Sequence, residues 1–167
     1  MLKRTLISII ILSFTAILFL PAVNVLEIRN RNNPMQHYYS TLAFKKGFTI
    51  SYTHSVNKGR VHDYYRVCDK KWLELFQTDF VSYGAGIPEP EEIPGAVFLV
   101  NGNTYTIKDI NRKLNKLVMA VGLIANHTIQ FNNSAELPLK ELFPPQTSIV
   151  LEVKKVNLVQ YLLGKKI

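Results

Sequence analysis

The stretch FTISYTHSVNKGRVHDYYRV, residues 48–67, carries large side chains at every second position on both sides of a short polar segment. Side chains alternate between the two faces of a β-strand, so a period of two predicts a pair of half-buried strands. The Asn57-Lys58-Gly59 segment has the composition of a tight turn between them. The stretch therefore predicts a β-hairpin, and the fold class depends on whether the rest of the chain repeats its pattern.

Short apolar or alternating runs of the same kind recur towards the C-terminus. We predict strands at Trp72–Phe76 with an extension to Val81, Ala96–Val100, Thr104–Ile107, Asn126–Phe131 and Ser148–Val156. Asn101-Gly102-Asn103 is a strong hairpin signal, residues 109–118 fit either a short helix or a strand, and residues 137–143 predict one helical turn. Helical periodicity is otherwise scarce, so the sequence predicts an all-β fold, either an antiparallel β-sandwich or a partly open barrel.

The N-terminus has a different character. Lys3 and Arg4 precede the uncharged run Thr5–Val25, which as a helix is about 31 Å long and matches the thickness of a bilayer core. This predicts a single transmembrane or signal-anchor helix, with the N-terminus in the cytoplasm and the domain outside. The alternative is a cleaved signal peptide with a poor cleavage site at Leu20-Pro21-Ala22.

These observations divide the chain into three parts. We expect a signal anchor or transmembrane helix at residues 1–26, a tether or irregular first strand at residues 27–40, and an extracytoplasmic β domain at residues 41–167. The predicted location is the cell membrane, or outside the cell membrane if the signal is cleaved.

The formal net charge is +8 at pH 7, and Cys68 is the single cysteine. One cysteine cannot form an internal disulfide, so the hydrophobic core must stabilise the domain. The basic residues are spread along the chain, and a domain outside the cytoplasm meets no nucleic acid, so we expect no such partner. A scattered solvated surface explains the charge most simply; attraction to anionic lipid headgroups or an acidic partner is the alternative.

His54, Ser55 and Asp63 are the residue types of a hydrolase, and they surround the turn of the predicted hairpin. Ser55 directly follows His54, so on a regular strand the two side chains point to opposite faces and cannot form the hydrogen bond that activates a serine. A turn at Ser55, or His127 in place of His54, would rescue the arrangement, but the chain has no G-x-S-x-G motif. We therefore favour a structural pairing of His54 with Asp63 across the open side of the hairpin.

Small-anion binding is a further possibility. In the loop of residues 81–95, Gly84-Ala85-Gly86 can turn consecutive backbone N–H groups towards an anion, and nearby cationic or tyrosine side chains would complete a carboxylate site. The alternative is that these glycines only shape a turn before Ile87-Pro88. The predicted ligand- or partner-binding residues are His54, Ser55, Asp63, Tyr65, Gly84, Ala85, Gly86 and His127.

Metal ligation is the remaining chemistry to consider. Three histidines and Asp63 are suitable ligand types, but their spacing matches no zinc motif. We expect no catalytic residue, no metal and no cofactor.

Several of these segments resemble domain-of-unknown-function family 1850. The resemblance is carried by YTHSV at residues 52–56, Asp63-Tyr64-Tyr65, YGAGIPE at residues 83–89 and LVMAVGLIANHTI at residues 117–129. It covers roughly Thr41 to Val153. This chain departs from the family's pattern at Asp63, where the family usually has glutamate, so its carboxylate has a shorter reach than the family's.

The resemblance implies a small exported or membrane-anchored protein, often encoded beside tripartite (TRAP) transporters of the TAXI type, which import carboxylates such as glutamate. It implies no catalytic residues. We therefore expect a membrane-anchored accessory protein of a carboxylate transport system that binds a transporter subunit or the solute. The alternatives are a stand-alone extracytoplasmic hydrolase that uses His54, Asp63 or His127, and a structural envelope protein without a ligand.

Overall fold

The computed structural model of the protein describes residues 2–56, 58–81 and 92–167, which form twelve strands and four helices. The strands are β1 (Pro21–Asn30), β2 (His37–Ser40), β3 (Phe48–Thr53), β4 (Arg60–Cys68), β5 (Trp72–Phe80), β6 (Val97–Asn101), β7 (Thr104–Leu114), β8 (Leu117–Ala120), β9 (Thr128–Phe131), β10 (Leu137–Pro138), β11 (Ser148–Asn157) and β12 (Lys165–Lys166). The helices are α1 (Leu2–Leu18), α2 (Ala43–Lys46), α3 (Leu139–Leu142) and α4 (Leu158–Leu163).

The strands form two open sheets. The five-stranded sheet has the order β12-β2-β1-β11-β8, and the seven-stranded sheet has the order β10-β9-β3-β4-β5-β7-β6. Neighbouring strands are antiparallel except for β12, which is parallel to β2. The predicted all-β character of the domain is confirmed, and neither sheet closes on itself.

The two sheets share one hydrophobic core. Leu26 and Leu151 contribute to it from the five-stranded sheet, and Ile50 and Ile129 contribute from the seven-stranded sheet, each with at most 2 % of its surface exposed. A second cluster, built on Val61, Phe80 and Ile107, lies on the seven-stranded sheet alone. The seven-stranded sheet therefore extends beyond the shared core, and its extension has apolar packing of its own.

The N-terminal helix is shorter than the sequence predicts. It ends at Leu18, and Pro21–Asn30 forms a strand between β2 and β11. The prediction of a helix to Val25 is wrong at its C-terminal end, because an apolar run has the same composition in a helix and in a buried strand. The predicted boundary after residue 26 falls inside β1, and residues 27–40 contain the rest of that strand and β2. Across the described residues, no helix combines the length and apolar character needed to span a membrane.

Most of the predicted strands are present. The first hairpin pairs Thr53 with Arg60, and the Asn101–Asn103 turn joins β6 to β7. The ambiguous segment at residues 109–118 continues β7 to Leu114 and then begins β8. Helix α3 confirms the predicted helical turn. Helices α2 and α4 were not predicted, since elements of 4 and 6 residues are too short to show a helical period.

Gly47 determines how the chain enters the first hairpin. It ends α2 with φ +80° and ψ −159°, a backbone conformation that only glycine adopts readily, and it immediately precedes β3. A Cβ atom on this residue would overlap the carbonyl oxygen of Tyr65 on the neighbouring strand. Gly102 also has a positive φ, of +58°, but its position leaves open space for a Cβ atom.

The two glycines allow a matched test. We expect Gly47→Ala to lower the free energy of unfolding by about 3 kcal/mol or more, since backbone strain and steric overlap add together. Gly102→Ala has only the backbone penalty, about 1 kcal/mol. Urea unfolding of both variants measures the difference. Equal losses would contradict the close approach of Gly47 to β4.

Candidate functional site

A cavity of about 920 Å³ lies on the extension of the seven-stranded sheet. Its wall is formed by the end of β3, the start of β4, and parts of β5 and β7, and residues 92–94 and Ala125 close its margin. The lining residues are Tyr52, Thr53, His54, Ser55, Val61, Asp63, Leu75, Thr78, Phe80, Glu92, Ile93, Pro94, Ile110, Arg112 and Ala125. A cavity of this size, largely apolar with a few polar groups, is typical of sites for small ligands.

Asp63 is the carboxyl group in the apolar part of this cavity. It lies on β4 beside the buried side chains of Val61 and Phe80, which are 4 % and 2 % exposed. Its Oδ1 atom accepts a hydrogen bond of 2.7 Å from the Thr78 hydroxyl, and the Tyr52 hydroxyl is a further donor beside the carboxyl. The hydrogen bond from Thr78 holds the carboxyl group in place against the wall of the cavity.

The surroundings of Asp63 oppose its ionisation. Burial raises the pKa of this carboxyl above its ordinary value, and the hydrogen bond from Thr78, the nearby His62 and the hydrogen bond from Tyr52 offset only part of the rise. Burial, and then the charge of Asp63, raises the pKa of Tyr52 to about 12. Tyr52 therefore keeps its proton at neutral pH and remains a donor to Asp63.

Two nitrogen-bearing side chains also line the cavity. Arg112 lies on β7 opposite Leu75 and is exposed. Among the described residues no carboxylate forms a salt bridge with it. His54 follows β3, and its Nδ1 atom accepts a long hydrogen bond of 3.4 Å from the backbone N–H of Val56. The cavity thus combines a half-buried carboxyl on one strand with a guanidinium group two strands away.

The structure distributes the predicted site residues as follows. His54, Ser55 and Asp63 line the cavity. Tyr65 does not line it, because its ring is 5 % exposed and stacks on Phe48 in the shared core at 5.2 Å between centroids. Gly84, Ala85 and Gly86 lie outside the described residues.

His127 lines a smaller neighbouring cavity of about 200 Å³, and its ring lies 5.7 Å from the Tyr52 ring. Its Nδ1 atom accepts a hydrogen bond of 3.0 Å from the backbone N–H of Gly122. Burial, and then the charge of Arg60, lowers its pKa. The neutral imidazole therefore carries its proton on Nε2, and its Nδ1 lone pair is already engaged.

The predicted pairing of His54 with Asp63 is wrong. The hairpin register places Asp63 opposite Ile50, whereas the backbone N–H of His54 bonds to the carbonyl of Gly59 in the turn. Because the last strand pair is Thr53 with Arg60, His54 lies beyond the ladder and Asp63 lies three pairs inside it. Asp63 takes Thr78 and Tyr52 as partners instead.

A different serine–histidine pair, which the sequence did not predict, lies on the hairpin. Ser51 and His62 face each other across the hairpin, with 2.8 Å between Oγ and Nδ1. Ser51 is only 1 % exposed and alternates with Tyr52, so it points away from the cavity. The correct hairpin register would have revealed this pair. A substrate cannot reach the hydroxyl of a serine buried to this degree, so we assign the pair a structural role.

Thr78 and Arg112 were also missed. They lie on β5 and β7, distant in sequence from the motifs around residue 54, and only strand pairing brings them to the same cavity. No single-residue signal distinguishes them from other polar residues on strands. Within residues 2–56, 58–81 and 92–167, no group of three or more histidine, cysteine, aspartate or glutamate side chains has the geometry to hold a metal ion.

Fold and site together define a mostly antiparallel two-sheet β domain with a ligand-sized cavity on its larger sheet. The chain belongs to the family described as a domain of unknown function (DUF1850), whose model matches residues 48–139. The match confirms the resemblance and begins at β3, so it includes nearly all of the cavity wall. Neither a curated protein nor a solved structure matches the chain.

The raised pKa of Asp63 predicts a pH-dependent contribution to stability. A carboxyl whose pKa is higher in the folded state stabilises that state below the pKa of the unfolded chain, near 4, and this contribution is lost as pH rises through the folded-state pKa. We expect the free energy of unfolding of Asp63→Asn, relative to wild type, to increase over this pH range by about 1.4 kcal/mol for each unit of pKa elevation. Urea unfolding at a series of pH values measures it.

Thr78→Val provides the matched comparison. It removes a hydrogen bond that lowers the pKa of Asp63, so the pH range in which stability is lost should extend further upwards. Parallel stability curves for wild type and Asp63→Asn across pH 4 to 8 would contradict a raised pKa at this site.

Proposed function

We propose that this chain is a membrane-anchored extracytoplasmic accessory protein of a carboxylate transport system, of the TAXI-type TRAP class. In this proposal the domain holds the solute in the cavity of the seven-stranded sheet or binds a transporter subunit beside that cavity. The observation that carries the proposal is the cavity itself, which places Arg112 and Asp63, a carboxyl whose pKa is raised, around one space that apolar side chains and Glu92 also line.

The cavity has groups that suit a carboxylate. The guanidinium of Arg112 offers paired N–H donors whose spacing matches the two oxygens of a carboxylate. When Asp63 takes up a proton, which its raised pKa makes easier, its O–H donates one hydrogen bond to an anion. The apolar side chains of Val61 and Phe80 exclude water around the carbon skeleton of a solute.

The anchor is supported by α1. Many of its described side chains are apolar and more than half exposed, namely Leu6, Ile7, Ile9, Ile10, Leu12 and Ile17. Lys3 and Arg4 stand at its N-terminal end, the arrangement expected of a segment that begins in the cytoplasm. A 17-residue helix is about 26 Å long, and Phe19 and Leu20 extend its apolar surface. In this proposal lipid covers these side chains and the β domain lies outside the cell membrane.

The transport context comes from the family resemblance, which implies genes adjacent to TRAP transporters. The two alternative functions, a hydrolase and a structural envelope protein, can be distinguished from the transport role. A hydrolase requires a reachable nucleophile and base. His54 and Asp63 line the cavity, but Asp63 already accepts a hydrogen bond from Thr78, and His127 lies in the neighbouring cavity. A structural envelope protein requires no ligand, and it predicts that the cavity binds nothing.

Solute binding is tested on the full-length protein in nanodiscs by isothermal titration calorimetry with glutamate and small dicarboxylates. We expect binding to wild type and a loss of affinity of about 10- to 100-fold for Arg112→Gln, since hydrogen bonds to charged groups contribute about 1.5–3 kcal/mol. Lys113→Gln is the matched control: Lys113 is adjacent and exposed but lies opposite Glu74 on the other face of β7, and it does not line the cavity. This control should leave the affinity unchanged.

The pH dependence identifies the role of Asp63. Affinity for the carboxylate should rise as pH falls towards the raised pKa of Asp63, and Asp63→Asn should bind with little pH dependence. Binding of a diamine in place of carboxylates would contradict the carboxylate site. If no solute binds at millimolar concentration, the solute version of the proposal fails, and capture of a transporter subunit by the full chain then decides the subunit version.

A further inference from the structure

Helix α4 presents two leucines to solvent. Leu162 and Leu163 are 69 % and 83 % exposed, although both belong to a helix that packs on the five-stranded sheet. The packing is made by Tyr161, which contacts a small cluster of Val25, Tyr39 and Val156. One side of α4 therefore packs on the sheet, whereas no apolar side chains of the described residues bury the leucine pair to a comparable degree.

The leucine pair is held rigidly. Asn157 and Gln160 form a reciprocal capping box at the start of α4, which satisfies backbone N–H groups at the helix N-terminus. At its end, the Lys166 ammonium group donates hydrogen bonds to the carbonyls of Tyr161 and Gly164 and lies 4.3 Å from the centre of the Tyr161 ring. A Cβ atom on Gly164 would overlap the Tyr39 ring, so the chain lies close against the sheet here.

The position of α4 connects it to the N-terminal helix. Pro21, the first residue of β1, pairs with Asn157, the residue directly before α4. Phe19 and Leu20 immediately precede that pair and are 58 % and 59 % exposed. The chain that leaves α1 and the start of α4 are thus neighbours at one end of the five-stranded sheet, and the two leucines follow at the C-terminal end of this 6-residue helix.

The charged residues in the segment that contains α4 are all basic. Residues 153–167 contain four lysines and no acidic residue. Lys155 and Lys165 are exposed, and the charge of Lys154 is already shared with Glu27 and Glu152. Basic residues flanking exposed leucines on a short helix are the pattern of a segment that lies in a membrane interface, where lysine binds anionic headgroups and leucine enters the acyl boundary.

We propose that α4 is a second membrane contact, which lays Leu162 and Leu163 into the interface of a bilayer that contains anionic lipid. The inference rests on the proposed anchoring of α1, because that anchor holds the neighbouring end of the five-stranded sheet at the bilayer. The contact gives the β domain a second point of attachment, which restricts its orientation relative to the membrane.

The test uses the full-length protein with Cys68→Ser, so that one environment-sensitive fluorophore can be placed by cysteine substitution. Leu162→Cys reports on α4, Ile10→Cys reports on α1, and Asn103→Cys, in the β6–β7 turn of the other sheet, is the control. In nanodiscs containing phosphatidylglycerol we expect blue-shifted emission and protection from iodide at positions 162 and 10. The fluorophore at position 103 should show the emission of an aqueous environment and remain accessible to iodide. Circular dichroism confirms that each labelled protein is folded.

The outcomes separate this inference from the anchor. A buried signal at position 10 with an aqueous signal at position 162 overturns the α4 contact and retains the anchor. An aqueous signal at both positions overturns both. Protection at position 162 that depends on the number of protein copies per nanodisc assigns the leucines to a second copy and also overturns the lipid contact.

The lysines supply an independent measurement. Each lysine near an anionic surface changes the partition equilibrium by about fivefold. Replacing phosphatidylglycerol by phosphatidylcholine, or introducing Lys155→Gln with Lys165→Gln, should therefore restore iodide access at position 162 and leave position 10 protected. Lys70→Gln with Lys71→Gln is the matched control, since these lysines lie in the β4–β5 turn of the other sheet. Unchanged protection at position 162 after the lysine replacements would contradict recognition of anionic lipid.

Discussion

The register of the β3–β4 hairpin is the constraint on which the candidate site depends. Pairing Thr53 with Arg60 places Asp63 opposite Ile50 and His62 opposite Ser51. A shift of one residue would turn each of these side chains to the opposite face. In the observed register the carboxyl faces the cavity and the serine–histidine pair faces away from it. The chemistry available at the cavity is therefore a consequence of backbone pairing, supported on one side by the close approach of Gly47 to Tyr65.

Asp63 connects folding with the proposed function. A carboxyl beside Val61 and Phe80 is costly to ionise, and its partners Thr78 and Tyr52 offset only part of that cost. A domain selected for stability alone would favour an apolar residue in such a place, as often holds for buried charges. In the proposed function this residue has a use, because a carboxylate solute would contact both Asp63 and the Arg112 guanidinium, which forms no salt bridge with a carboxylate of the described residues. In contrast to the active site of a hydrolase, a site of this kind binds its solute and needs no nucleophile.

The five-stranded sheet has a different role. Its central strands β1 and β11 pair residues near the two ends of the chain, and this brings α1 and α4 to the same end of the sheet. In the proposed arrangement this end faces the bilayer, whereas the ligand cavity belongs to the extension of the other sheet. The separation of the two surfaces leaves the cavity open to a solute or a transporter subunit while the domain is held at the membrane.

The sequence by itself determined the features that depend on neighbouring residues. The alternation of large and small side chains identified β3, β4 and β11. Asn101–Asn103 identified a turn, and local motifs identified the family. The tertiary structure decided the features that depend on distant residues. Residues 21–25 leave the helix because they pair with β11, and Arg112 reaches the cavity because β7 lies beside β5. The physical reason is that a period records which face a side chain occupies, whereas its partner depends on register between strands, which one strand alone does not encode.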